Sequence, residues 1–169
     1  MTVFDQIFTI LIGEEGGYSN DPHDPGGETK YGISKAAYPQ VDIAGLTIDT
    51  AKAIYVRDFW APCRCDDLPA GLALMVFDAA VNNDCERARE WLQAAVGVAQ
   101  DGVIGPQTMT ALLAAVARPG GVNTLCAEFL ARRIDFMGLL KTWQRFGLGW
   151  SRRLAALPYK ALSIAQQET

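Results

Sequence analysis

Glu14 and Glu15 are the residues best placed in this chain to donate a proton. They follow an apolar stretch and precede Gly16-Gly17-Tyr18, and the next segment carries a second carboxylate, Asp24, and a hydroxyl, Thr29. Partial burial raises the pKa of a glutamate far enough for acid catalysis, and the end of an apolar helix supplies such burial. A tight Gly-Gly turn would bring the following loop back over the acid. This layout is suited to general acid catalysis on a glycosidic bond.

The spacing of the three groups fits a particular kind of hydrolysis. Eight residues separate Glu15 from Asp24, and four separate Asp24 from Thr29. In inverting hydrolysis one carboxylic acid protonates the leaving oxygen, while a second carboxylate places a water on the opposite face of the sugar. Asp and Thr also cap turns, so spacing alone leaves both interpretations open.

An amphipathic helix is predicted directly before the two glutamates. Apolar residues recur at helical spacing from residue 2 to residue 13, and Thr2 with Asp5 forms a start like a capping box. Projected onto that helix, Glu14 and Glu15 fall on opposite flanks of the apolar stripe. Helical phase alone therefore does not choose between them.

The segment that follows predicts turns and one small hairpin. Asp21-Pro22 and Asp24-Pro25 break any helix. Extended pieces at residues 18–20 and 30–33 are predicted to pair as the hairpin. Ser34 is predicted to cap a short helix that stops before Pro39.

The remaining sequence predicts helices. Thr47 caps the first of them, Pro106 starts another, and Pro119-Gly120-Gly121 is a strong break. Residues 101–108 have the turn chemistry of a loop that feeds a helix, and a subdomain boundary is predicted near residues 97–102. The predicted helices cover residues 47–60, 68–81 (a buried central helix), 86–96, 106–116, 122–146 and 150–157.

Composition limits the class of protein. The chain has 169 residues, half of them hydrophobic, which is enough for one sizeable core or two small subdomains. No apolar run reaches the roughly eighteen residues needed to span a bilayer. The first twelve residues are short, carry Asp5 and lack a basic region, so no secretory signal is predicted. We expect synthesis in the cytoplasm, so any action outside the cell would require export or release by another factor.

Charge is divided unevenly along the chain. Residues 1–117 hold 7 basic and 16 acidic residues, whereas residues 118–169 hold 8 basic and 3 acidic residues. The basic end could attract an anionic polymer or membrane surface, or it could be a solvated helix face. It lacks the long basic block with interleaved aromatics that is typical of a nucleic-acid groove, so no nucleic-acid partner is expected.

The cysteines and the histidine argue against a metal site. Cys63, Cys65, Cys85 and Cys126 lack the paired spacing of zinc ligands, and His23 is the only histidine. Free thiols are expected. We expect no metal and no organic cofactor.

Four stretches carry a resemblance to a known family. The sequence E-E-G-G-Y-S-N-D-P-H-D-P-G-G-E-T-K-Y-G-I-S, residues 14–34, resembles the opening motif of glycoside hydrolase family 108, a family of peptidoglycan N-acetylmuramidases that is common in phages and prophages. The stretch F-D-A-A-V-N-N-D, residues 77–84, resembles the internal helix of that family. D-G-V-I-G-P-Q-T, residues 101–108, and G-W-S-R-R, residues 149–153, resemble the peptidoglycan-binding region that usually follows.

The resemblance implies roles for individual residues. It assigns the general acid to Glu15, and Asp24 then activates water or stabilises the charge on the sugar. Thr29 orients the water, although related phage lysozymes carry their threonine one position later, at Lys30 here. Glu14, if ionised, would help raise the pKa of Glu15. The candidate substrate-binding residues are Tyr18, Tyr31 and Asn82; each also has a structural explanation, as hairpin packing for the tyrosines and a helix C-cap for Asn82. Trp143 and Trp150 are predicted to anchor the core.

The expected protein is mainly α, of the α+β lysozyme-like class: a helical bundle with one small β-hairpin beside the active-site cleft. Residues 1–96 are expected to be catalytic, and residues 97–169 to form a helical peptidoglycan-binding region packed on them. The predicted reaction is hydrolysis of the β-1,4 bond between N-acetylmuramic acid and N-acetylglucosamine by a monomer. Three alternatives stay open: a lytic transglycosylase, a non-catalytic wall-binding protein, and a secretion-assisting factor.

Overall fold

The computed structural model describes residues 1–13, 17–21 and 26–165. These residues form seven α-helices and one two-stranded antiparallel sheet. This confirms the predicted mainly helical class with a single small hairpin. The chain divides into two compact units, Met1–Asp58 and Phe59–Thr169. The predicted functional division at residue 96 stays a prediction, since compactness does not identify which residues act.

Helix α1, Val3–Leu11, begins as its sequence predicts. The Thr2 hydroxyl accepts a hydrogen bond from the Asp5 amide at 3.1 Å, and the Asp5 carboxylate accepts one from the Thr2 amide at 3.1 Å. Ile7 and Phe8 are fully buried. Gly13, with φ +84°, follows the helix end in a conformation that favours glycine. The helical periodicity of α1 therefore ends before Gly13.

The hairpin consists of β1, Thr29–Lys30, and β2, Ile33–Ser34. Tyr31 and Gly32 form its two-residue turn and both have positive φ, as the tight turns of hairpins with two-residue loops require. The predicted pairing of residues 18–20 with 30–33 is therefore wrong in part. Residues 30–33 hold the end of one strand, the turn and the start of the next, while Ser19 bridges to Thr29.

Helix α2, Ile48–Tyr55, is capped by Thr47 as predicted, and the Thr47 hydroxyl accepts from the Thr50 amide at 3.2 Å. It continues as a π-helical turn over Val56–Trp60. The short helix predicted after Ser34 is wrong, because that segment is a single turn in which the Ala37 amide donates to the Ser34 hydroxyl at 3.3 Å. Pro39 disfavours helical geometry at the residue before it. Too few residues therefore remain between Ser34 and Pro39 to form a helix.

The second unit is built around a buried helix. A 3-10 turn, Cys65–Asp67, precedes α3, Ala70–Asn82, which is buried from Ala70 to Ala80 and packs against three other helices. This confirms the predicted central helix. The other helices of this unit are α4, Cys85–Val96, α5, Pro106–Val116, α6, Gly121–Gly138, and α7, Trp143–Ala165.

The last two helices differ from the prediction. One long helix over residues 122–146 is wrong, because α6 ends at Gly138 and α7 begins at Trp143. A stop at residue 157 is also wrong, since α7 continues through Pro158. The turns beyond the proline bury Ala161 and Ile164, and this burial offsets the loss of one backbone hydrogen bond.

The four cysteines are thiols and not disulfides, as expected, and three of them are buried. The neighbouring Cys85 thiol, together with burial, raises the pKa of Cys63, and burial raises the pKa of Cys65. Burial also raises the pKa of Cys126 to about 11. None of the described helices is both long and apolar enough to cross a membrane.

Candidate functional site

The predicted acid Glu15, its neighbour Glu14 and the second carboxylate Asp24 lie outside the described residues. Their roles stay predictions. The parts of the chain that flank them are described: Gly13, which follows α1, and the hairpin.

Tyr18 is joined to the hairpin by its side chain. Its hydroxyl donates to a carboxylate oxygen of Glu28 at 2.8 Å, and this hydrogen bond raises the pKa of Tyr18. The side chain is 46% exposed, so its ring is accessible. An accessible ring held at its tip by a carboxylate can contact the apolar face of a sugar.

Thr29 begins β1 and is fixed through its backbone. Its amide donates to the Ser19 carbonyl at 2.8 Å, and its own carbonyl accepts from the Ser19 amide at 2.8 Å. Among the described residues, the only hydrogen bond of the hydroxyl is a long one, 3.4 Å, to the Gly27 carbonyl. Thr29 thus combines a fixed backbone with a weakly held, half-buried hydroxyl, which is available to orient a water.

Tyr31 forms the hairpin turn, and its backbone is more firmly held than its side chain. Its carbonyl accepts from the Tyr55 hydroxyl at 3.0 Å, and its ring lies 5.7 Å from the Lys30 ammonium. Burial raises the pKa of Tyr55 to about 12. Tyr55 also packs edge-on against Phe8 at 5.5 Å, so it links the hairpin turn to α1.

An ion pair joins the two helices of the first unit. The Lys52 ammonium of α2 lies 2.6 Å from the Asp5 carboxylate of α1, and 5.6 Å from the centre of the Phe8 ring. The hydrogen bond from Lys52 is the largest cause of a pKa for Asp5 far below its usual value. These contacts hold α1 in register with α2 and so define where the chain leaves α1.

Asn82, the third candidate substrate-binding residue, is the last residue of α3 in the second unit. Its side-chain nitrogen donates to the Asp78 carbonyl at 2.7 Å, and the side chain is exposed. The helix C-cap, which was expected at Asn82, is instead its neighbour Asn83. Tyr18, Thr29 and Tyr31 are brought together around one hairpin, whereas Asn82 belongs to the other unit.

A buried charge cluster, which we call the Asp78 cluster (Asp78, Asn83, Arg133 and Arg153), was not predicted. One Asp78 oxygen accepts from Arg133 at 2.6 Å, and the other accepts from Arg153 at 2.5 Å. Arg133 also donates to the Asn83 side-chain oxygen at 2.9 Å. The Asp78 and Arg133 side chains are 0% and 1% exposed. An aspartate inside an otherwise apolar helix needs a buried partner, and that signal could have revealed the cluster.

The loop over residues 101–108 is held from inside the protein. The buried Gln93 side chain donates to the Asp101 carboxylate at 2.6 Å and to the Val103 carbonyl at 3.0 Å, and accepts from the Gly102 amide at 2.9 Å. Thr108 is also buried beside it. These residues shape a connector into α5, whose first residue is Pro106 as predicted.

The basic end and its tryptophans differ from expectation. Arg133 is buried and Arg153 is bound to Asp78, so neither is simply a surface charge. Trp143 and Trp150 are only partly buried, and their rings lie 6.0 Å apart. They therefore form a surface aromatic cluster rather than core anchors. Among the described residues, no group of three or more His, Cys, Asp or Glu could hold a metal ion.

Comparison with known proteins gives two family matches along the chain. The family described as Glycosyl hydrolase 108 matches residues 8–83, and the family described as Predicted Peptidoglycan domain matches residues 87–155. The solved structure of Brucella abortus SagA is 32% identical with a TM-score of 0.81, covering 96% of this chain and 95% of that chain. No curated protein matches significantly. The two matched segments meet at the start of α4.

Proposed function

The chain belongs to the glycosyl hydrolase 108 family, with a peptidoglycan domain behind the hydrolase segment, and on that premise we propose that it is an N-acetylmuramidase. It is a glycoside hydrolase directed at peptidoglycan. The proposed bond is the β-1,4 linkage between N-acetylmuramic acid and N-acetylglucosamine. The reaction needs one acid to protonate the bridging oxygen and a water to attack the sugar.

In this proposal Glu15 is the general acid. Asp24 activates the water or stabilises the positive charge that develops on the sugar, and Thr29 orients the water. Tyr18, Tyr31 and Asn82 contact the glycan. The supporting observation is that one family match covers all of these residues, while Thr29 has a fixed backbone and a hydroxyl that is only weakly bonded within the described residues.

The decisive experiment compares Glu15→Gln with Glu14→Gln on purified peptidoglycan. The two variants make the same chemical change at neighbouring positions. We expect Glu15→Gln to lower turnover by about 10²–10⁴-fold, as loss of general acid catalysis does, and Glu14→Gln to lower it far less. Circular dichroism and pelleting with cell walls check that both variants fold and bind. Full activity of Glu15→Gln would exclude Glu15 as the acid.

The products separate the remaining alternatives. Mass spectrometry of the released muropeptides distinguishes hydrolysis, which adds a water, from transglycosylation, which leaves a 1,6-anhydro sugar. A wild-type protein that pellets with walls but releases nothing would instead be a wall-binding or secretion-assisting protein. The α or β configuration of a freshly formed reducing end, read by NMR, identifies inversion or retention.

The finer biological role is also a proposal. We propose a phage or prophage endolysin that is made in the cytoplasm and reaches the wall after release, and that acts as a monomer. The exposed Lys141, Arg145 and Arg152 favour approach to an anionic envelope surface. Raised salt should slow wall lysis by the wild type more than by a variant with these three residues changed to Gln.

A further inference from the structure

A small cavity in the second unit opens beside the Asp78 cluster. Its volume is about 140 Å³, and its polar lining comes from Asn82, Asn83, Arg133, Trp150 and Arg153. Cavities that hold drug-sized ligands begin at about 300 Å³. This cavity is therefore large enough for one small chemical group and too small for a disaccharide.

The charges around the cavity do not cancel. Asp78 is the only acidic side chain of the cluster, and its two oxygens are shared between Arg133 and Arg153. Two guanidinium groups against one carboxylate leave one net positive charge. Arg153 is 42% exposed, so part of its guanidinium faces solvent. A low-dielectric wall with an excess positive charge favours a small anion.

Hydrogen-bond donors are also left over. Arginine has only donors, so Asn83 must present its oxygen to Arg133, and its amide nitrogen then faces away from Arg133. No acceptor for that nitrogen occurs in the described part of the chain, and the same holds for Nη2 of Arg133. Arginine donors in a planar fork match the geometry of a carboxylate. Trp150, at the same cavity, offers an apolar ring beside them.

From this arrangement we propose that the cavity binds a carboxylate group of peptidoglycan. Arg153 and the Asn83 amide donate to its oxygens, and Trp150 packs against the carbon atoms next to it. Two parts of peptidoglycan carry such a group: the stem peptide and, once the peptide is removed, the lactyl arm of muramic acid. The proposal rests on peptidoglycan being the target of the chain, and it does not depend on the muramidase reaction.

The test uses the full chain carrying Glu15→Gln, so that the ligand is not consumed. The probes are N-acetyl-D-alanyl-D-alanine, with a free carboxylate, and its C-terminal amide, both followed through the indole N–H resonance of Trp150. We expect the acid to bind at least about tenfold more tightly than the amide, the ratio that a charge-assisted hydrogen bond supports. Equal binding of acid and amide, or no shift with either, would overturn the proposal.

Variants separate binding from structural support. Arg153→Gln should collapse the acid-to-amide ratio to about one, whereas Arg153→Lys should keep part of it, because it keeps the charge and loses the fork. Arg152→Gln, one position earlier and outside the cavity, is the matched control and should keep the full ratio. A purely structural role of Arg153 would weaken both ligands equally and leave the ratio unchanged, which would refute the proposal.

Whole cell walls identify the source of the carboxylate. Walls treated with an amidase lose their stem peptides and gain free lactyl carboxylates. If Arg153-dependent pelleting falls after this treatment, the bound carboxylate belongs to the stem peptide. If that pelleting persists, the bound carboxylate belongs to the lactyl group. Pelleting that does not depend on Arg153 with either preparation contradicts the proposal. A wild-type protein without hydrolytic activity would sink the muramidase proposal but leave these binding results unaffected.

Discussion

Arg153 of α7 donates to the Asp78 carboxylate of α3 from both Nε, at 3.1 Å, and Nη2, at 2.5 Å. Asp78 lies within the segment that matches the hydrolase family, and Arg153 lies within the segment that matches the peptidoglycan domain. Two of the four stretches noted in the sequence, residues 77–84 and 149–153, thus meet in one ion pair. Within the second unit, the last part of the hydrolase segment therefore shares a core with the peptidoglycan segment.

Replacing Asp78 should lower the free energy of unfolding more than replacing Arg153. Asp78→Asn leaves the Arg133 guanidinium, with a side chain 1% exposed, without its counter-charge. The expected loss is about 3–5 kcal/mol in the free energy of unfolding. Arg153→Gln should cost less, because Asp78 keeps Arg133 and Arg153 is partly solvated. Urea denaturation at pH 7 measures both variants, and equal losses would show that Arg133 is not the group that needs Asp78.

Gly32 should be intolerant of any side chain. A Cβ at this position would lie 2.6 Å from the Tyr55 hydroxyl oxygen, and the backbone has φ +75°. We expect Gly32→Ala to lower the free energy of unfolding by about 1–3 kcal/mol. Tyr55→Phe removes the hydroxyl oxygen that this Cβ would contact. In that background, Gly32→Ala should lower the free energy of unfolding only by the cost of the backbone strain.

Gly149, in α7, is the matched control for that change. A Cβ there meets no atom of the described residues within 4 Å and the backbone is helical, so Gly149→Ala should raise the free energy of unfolding by up to about 1 kcal/mol. Thermal and urea unfolding of the two alanine variants should move in opposite directions. A neutral Gly32→Ala would mean that the hairpin turn and Tyr55 are not in close contact.

Asp5 should give the first unit an acid-sensitive contribution to stability. The Lys52 hydrogen bond lowers the pKa of Asp5 far below 3.8 in the folded state. The contribution is complete above the unfolded pKa and is lost as the pH falls through the lower folded value. Asp5→Asn should therefore be less stable than the wild type by about 0.5–1 kcal/mol above pH 5, and this difference should shrink below pH 4.

Lys52→Met is an independent check of the same ion pair, because it removes the largest cause of the Asp5 shift. It should flatten the acid limb of the stability curve much as Asp5→Asn does. Unfolding free energies measured from pH 2 to pH 7 test both variants. A difference between wild type and Asp5→Asn that does not change with pH would rule out the linkage.

Thr29 should matter for activity through its hydroxyl alone. Thr29→Val keeps the β-branched shape that suits a strand and removes the oxygen. If the hydroxyl orients the attacking water, turnover should fall by about 10²-fold, the usual cost of misplacing a reactant. Thr29→Ser restores the oxygen and should recover most of the rate. Unchanged turnover in Thr29→Val would assign to Thr29 a structural role only.

The elements that were predictable are those whose signals are local. Thr2, Thr47 and Pro106 mark helix starts through caps that involve the next few residues, and all three starts are confirmed. A continuous apolar stretch predicted the central helix. These features depend on chemistry within one turn of the chain, which a sequence displays directly.

The elements that were missed depend on contacts between distant residues. The apolar spacing continues through Gly138, so nothing local marks the end of α6. Pro158 stays inside α7 because Ala161 packs over Gly71 of α3, where a Cβ would lie 3.5 Å from Ala161. The partners of Asp78 come 55 and 75 residues later, beyond the reach of any spacing argument.

The buried positions of three thiols affect their chemical reactivity. With the pKa of Cys126 near 11, and those of Cys63 and Cys65 also raised, almost none of these groups is ionised at neutral pH. Oxidants and disulfide-exchange enzymes attack the ionised form. Burial and protonation together make these three sulfurs slow to react with oxidants and with disulfide-exchange enzymes.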